Sequence, residues 1–182
     1  MSGREKTYEG EVNWMSIDIP EHFCRAPFYD SGDHVLKPDE TNQFEHGTLP
    51  LFWFDLVERQ DAQHWDKHEL LPKLFKRWHE LDEILSVYHE QENKQEVARF
   101  TPEFTALVIE AFFWINDKRV PTLVGVEDEI SKLAYIPPNS KDRLAFVLIA
   151  PHRYRCYIQM RSLMEELEKL NARLRVMEAR SK

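Results

Sequence analysis

Cys156, Met160, Leu163, Leu167, Leu170, Leu174 and Met177 recur at alternating spacings of four and three residues. An α-helix turns once every 3.6 residues, so all seven fall on one stripe, the a/d seam of a coiled coil. Residues 156–177 therefore read as one long helix with a single apolar stripe to bury. Its flanks are charged. Glu165 and Lys169 stand at the helix-supporting i,i+4 spacing, and Arg173 and Glu178 occupy g and e positions that pair across a parallel dimer. Two arrangements satisfy such a stripe. It packs against the body of its own chain, or it meets a second copy or a protein partner through Leu163, Leu167, Leu170, Leu174 and Met177.

Upstream, the chain is also written for helices. It has only five glycines in 182 residues and few strictly alternating stretches. Thr48 and Pro50 predict a helix start at TLPLFWFDLVERQ, with Pro50 in the first turn, where its missing N–H costs nothing. Asp66, with Glu69 three residues later, predicts another, and Leu71, Leu74, Phe75, Trp78, Leu81, Leu85 and Tyr88 continue it at helical spacing. Thr101 and Pro102 predict the start of a third helix over FTPEFTALVIEAFFWIND, apolar nearly all round and so buried. A short helix fits GVEDEISKLA. Asn139 or Ser140 caps SKDRLAFVLIA, and Pro151 turns the chain into the seam helix. Residues 1–47, with Pro20, Pro27, Pro38 and scattered aromatics, read as an irregular arm packed on the body. The expectation is an all-α, single helical-bundle domain of five or six helices. It divides into an arm (1–47), a helical body (48–168) and a long C-terminal helix (151–182).

A chain of this length buries roughly 70% of its unfolded surface and needs no covalent staples. Cys24 and Cys156 form no paired motif, the first residues are polar, and the longest apolar run is Leu144–Ala150. These features point to a soluble cytoplasmic protein with no membrane span. The net charge of −8 argues against indiscriminate nucleic-acid binding. The charge is unevenly spread, however. Residues 1–140 carry 14 Lys and Arg against 27 Asp and Glu, whereas residues 141–182 carry 10 against 5. That split marks an interaction element, or a basic end lying on an acidic body.

Enzymatic signatures are sparse. His64, Asp66 and His68 have ligand types, but Asp66 as a cap puts His64 ahead of the helix and breaks the i,i+4 geometry. His79 and His89 are ten residues apart and share no ligand face with His68. Asp55 and Glu110 interrupt apolar helices. Facing one another, they would have an acid–base signature; otherwise each marks a solvent edge or pairs with an arginine such as Arg143. Trp14, Trp53, Trp65, Trp78 and Trp114 read as packing residues. No glycine-rich phosphate loop is present. Neither a catalytic residue nor a metal or other cofactor is assigned.

The most concentrated chemistry lies at PHRYRCY. Arg153 and Arg155 flank Tyr154, beside His152 and with Arg143 nearby in sequence, at the predicted start of the seam helix. Planar guanidinium groups suit carboxylates and phosphates, and tyrosine supplies a face for stacking. Arg143, His152, Arg153, Tyr154 and Arg155 are the candidate interaction surface. Its partner is a protein on the favoured reading and a nucleic acid on the alternative. The third class, a metal-dependent hydrolase, has the least behind it.

The same stretch carries a resemblance. Arg143, Leu144, Phe146, Pro151, Tyr154, Tyr157 and Gln159 resemble the C-terminal signature of the YpoC-like proteins of Bacillus-type bacteria. IPEHFCRAPFYD (19–30) resembles that family's entry segment and EAFFWIN its central helix. The resemblance covers about residues 19–168 and implies a helical fold of uncharacterised function. It supplies no catalytic residues.

Overall fold

The computed structural model describes residues 16–37, 47, 49–57 and 65–181. Trp14, Thr48 and His64 lie outside them. Six α-helices occur among the described residues: α1 (Trp53–Leu56), α2 (Lys67–Glu90), α3 (Lys94–Trp114), α4 (Val126–Ile130), α5 (Ser140–Ile149) and α6 (Tyr154–Arg180). Among the described residues the arm departs from all-α, with a small antiparallel ladder and an isolated bridge between Arg25 and Tyr29. There β1 (Ser16–Asp18) pairs with β2 (His34–Leu36), with Ile17 opposite Val35.

Helix α2 starts where its sequence says. The Asp66 side chain accepts from the His68 N–H at 2.8 Å, and the predicted Leu71, Leu74, Phe75, Trp78, Leu81 and Leu85 are all buried. Helix α3 starts seven residues before Thr101 (Lys94 against Thr101). Asn93 caps it by accepting from Glu96 N–H at 3.2 Å, and Pro102 lies inside the helix. Pro102 cannot donate to the carbonyl four residues back. The helix continues nonetheless, held by its buried faces, with the Thr101 and Thr105 hydroxyls donating to the Val97 and Thr101 carbonyls at 2.6 and 2.8 Å. Every residue from Phe104 to Ile115 is buried, which makes α3 the central element. The ring of Phe104 stacks on Trp78 of α2 at 4.9 Å and lies 5.7 Å from Tyr157 of α6.

The predicted helix at Pro50 is a single turn. Phe52 adopts φ 56°, a left-handed conformation that interrupts helical propagation ahead of Trp53. The ring of Phe52 is buried between Phe23 and Phe28 of the arm, with centroids at 6.0 and 5.1 Å. Arg25 fastens the arm to α4, forking onto Glu127 at 2.6 and 3.2 Å and donating to the Leu123 carbonyl at 2.8 Å.

Helix α6 buries its stripe on its own body. Cys156, Met160, Leu163, Leu167 and Leu174 are buried and Leu170 is half-buried, while Met177 is 57% exposed. Ion pairs brace this packing in both senses: Arg161 meets Asp82 of α2, whereas Glu168 meets His79 and Glu178 meets Lys67. The charge split therefore does not reduce to a basic helix on an acidic body.

Candidate functional site

Pro151 forces the corner between α5 and α6. A residue before proline is driven from helical to extended backbone, and Ala150 accordingly ends α5 at φ −156°. The chain turns through His152 and restarts with Arg153 at the N-cap of α6, where no side chain caps the first N–H groups. Arg153 and Arg155 both point into solvent, and neither has an ion-pair partner among the described residues. His152 is exposed beside them. Tyr154 is 60% exposed, its ring leaning on His89 at 5.4 Å. Burial of the His89 ring against Tyr157, at 4.6 Å, pushes its pKa below the ordinary histidine value.

Arg143 stands apart from this exposed group. Its guanidinium is taken up between α5 and α6, forking onto Glu166 at 2.8 and 3.2 Å and donating to Ser162 Oγ at 3.0 Å. The Arg143 contact holds the Glu166 carboxyl below its usual range.

The apolar run Leu144–Ala150 is not wholly buried as a helix core would be. Leu144, Val147 and Leu148 face inward, while Phe146 and Ile149 are 46% and 81% exposed. Ile158, one turn into α6 from Tyr154, is also exposed. These apolar members of the surface were readable from spacing. A helix that buries Leu144 also buries the positions three and four later, which leaves 146 and 149 off the core.

A second feature lies deep in the molecule. The structure brings Asp55 of α1 and Glu110 of α3 together, and Arg143 pairs with neither. Asp55 Oδ1 accepts from Val120 N–H at 2.7 Å and from Trp114 Nε1–H at 3.2 Å. Asp55 Oδ2 is enclosed and has no hydrogen-bond partner among the described residues. Burial pushes Asp55 up to about 7, against the pull of those N–H groups and of Arg119. Glu110 is raised well above the usual range, first by burial and then by the Asp55 charge. Burial, and for Glu110 the neighbouring Asp55 charge, disfavour a second negative charge at this site.

The histidines are scattered. His68 lies 3.7 Å from Glu178, His79 pairs with Glu168 at 2.8 Å, and His89 stacks on Tyr157. Among the described residues no three His, Cys, Asp or Glu side chains are grouped to hold a metal ion. No helix among them is long and apolar enough to cross a membrane.

A relative, the uncharacterized protein YpoC of Bacillus subtilis (strain 168), is 23% identical over 151 residues, spanning 82% of this chain and 87% of its own. No solved structure matches. The family model for YpoC-like proteins matches residues 68–179, a span that includes the α5–α6 corner and nearly all of the seam helix, beyond the residue 168 limit of the sequence resemblance. The chain belongs to the YpoC-like family.

Proposed function

We propose that this protein is a non-enzymatic interaction protein whose α5–α6 corner docks a protein segment carrying acidic side chains beside apolar ones. The observation that carries this reading is the pair Arg153 and Arg155, solvent-facing and without ion-pair partners, next to the exposed Ile149, Phe146 and Tyr154. Unpaired guanidinium groups supply charge-assisted hydrogen bonds to carboxylates. The apolar side chains give a partner something to bury, which is where most binding free energy arises. The apolar share of the surface favours a protein over a nucleic acid, whose backbone rewards cations alone.

Selection from a displayed peptide library tests the reading. Peptides retained by the wild-type chain should combine Asp or Glu with aromatic or aliphatic residues, and should lose affinity at least ~30-fold for Arg153→Glu with Arg155→Glu, the scale of two charge-assisted contacts. Retained peptides that lack acidic residues, or that bind the double variant equally, would overturn it. Binding of a short DNA duplex that weakens steeply with salt and vanishes in the same variant would replace it with the nucleic-acid reading.

A further inference from the structure

The cations of the α5–α6 corner are one end of a longer face. The two helices run antiparallel away from the corner. Cys156 Sγ donates to the Phe146 carbonyl at 3.7 Å, and further along Arg143 reaches Ser162 Oγ at 3.0 Å. Both helices bury one side in the same core, α5 through Leu144 and Val147 and α6 through Met160 and Leu163. Their opposite sides therefore form a single outer face. On α5 that side carries Asp142, Phe146 and Ile149, and on α6 it carries Arg155, Ile158 and Glu165, at helical spacings in both cases. All six are exposed.

Charge runs along this face in one direction. Arg153 and Arg155 stand at the corner end. Glu165 lies about 15 Å further along α6, ten residues at 1.5 Å each, and Asp142 lies away from the corner on α5. None of these four has an ion-pair partner among the described residues. The apolar Phe146 and Ile158 lie between the two ends. A twofold axis through the middle of such a face lays the cationic end of one copy on the acidic end of another, twice, and packs the apolar middle on itself. An isologous contact requires this self-complementarity. A foreign acidic segment would answer the arginines and leave Asp142 and Glu165 unanswered, whereas a second copy answers both ends.

We propose that the partner at the α5–α6 corner is a second copy of this chain, docked about a twofold axis near Ile158 so that Arg155 of each copy meets Asp142 of the other. This choice of partner rests on the docking reading above, since Asp142 beside Phe146 and Ile149 is itself an acidic side chain next to apolar ones. The face is two short helices wide, small beside the ~800 Å² per partner of a standard interface, so dissociation in the micromolar range is expected.

Sedimentation velocity of the full chain from about 1 to 200 µM spans that range and tests the contact. Wild type should pass from monomer to dimer. Arg155→Asp and Asp142→Arg each set like charges opposite one another at both symmetry-related contacts, and each should weaken dimerisation at least ~10-fold. An equimolar mixture of the two variants should recover the wild-type constant within about threefold, because both contacts of the mixed dimer are again opposite in sign. Circular dichroism checks that the variants, both at exposed positions, keep their helicity. Wild type that stays monomeric at the highest concentration would overturn the self-contact; acidic–apolar peptides still retained at Arg153 and Arg155 would then leave the docking reading standing. Variants that dimerise like wild type would overturn the self-contact as well. So would a mixture that associates no better than its components.

Discussion

Arg143 forks onto Glu166, Nη2 to Oε1 at 2.8 Å and Nη1 to Oε2 at 3.2 Å, and so ties α5 to α6 just behind the exposed corner. The pair sets how rigidly the corner is presented. Arg143→Ala should lower stability by about 1 kcal/mol in urea titrations at pH 7, a value discounted for a Glu166 side chain that is 35% exposed. The folded-state Glu166 carboxyl is depressed below its ordinary 4.5. Its contribution is therefore present above about pH 4.5 and is lost as pH falls through the depressed value. The difference between wild type and variant should accordingly shrink in titrations carried from pH 7 to pH 3.

The seam helix gives two opposite expectations along its length. Leu167 is fully buried in its own chain, so Leu167→Ala should cost about 2–5 kcal/mol by urea denaturation. Val176 and Met177 are 51% and 57% exposed, and substituting lysine at both should change stability by less than about 1 kcal/mol. Self-association through the a/d seam of this helix has only that distal end available without opening the core. Light scattering of the Val176→Lys, Met177→Lys variant, with helicity checked by circular dichroism, decides it. A lower mass than wild type supports a self-contact there, and an equal mass removes it.

Pro102 sits within α3 and leaves the carbonyl of residue 98 without its helical donor. Pro102→Ala restores that N–H and removes the ring's steric conflict with the preceding turn. Stability should rise by about 1–3 kcal/mol, read as a higher midpoint in thermal unfolding. A midpoint that falls would mean that the backbone of α3 is shaped around the proline and that the packing of Phe104 on Trp78 depends on it.

The start of α3 shows how a local signal misleads. Thr101–Pro102 is a good helix-start pair, yet the helix begins at Lys94 because Asn93 and Glu96 form a cap of their own and the following residues pack well enough to carry the proline. The spacing signal in α2 was not open to such competition. An apolar residue every three or four positions has one helical explanation, and its predicted inward residues from Leu71 to Leu85 are buried as read. For α1 the sequence pattern extended a helix through Phe52, but burial of that ring between Phe23 and Phe28 comes with a left-handed backbone. Contacts to residues nearly thirty positions earlier in the chain do not register in local spacing.

By itself, the sequence determined the helical class, the corner at Pro151, the register of α2 and α6, and the concentration of arginine at the corner. Each follows from short-range sterics and periodicity. Only the tertiary structure decided what the stripe of α6 buries, since a/d spacing is satisfied equally by a body or by a partner. It likewise decided that Arg143 turns inward while Arg153 and Arg155 turn outward, because the available carboxylate, Glu166, lies 23 residues away across a helix pair. The meeting of Asp55 with Glu110 depends on how α1 is laid on α3, a matter of long-range packing that neither residue's sequence neighbours specify.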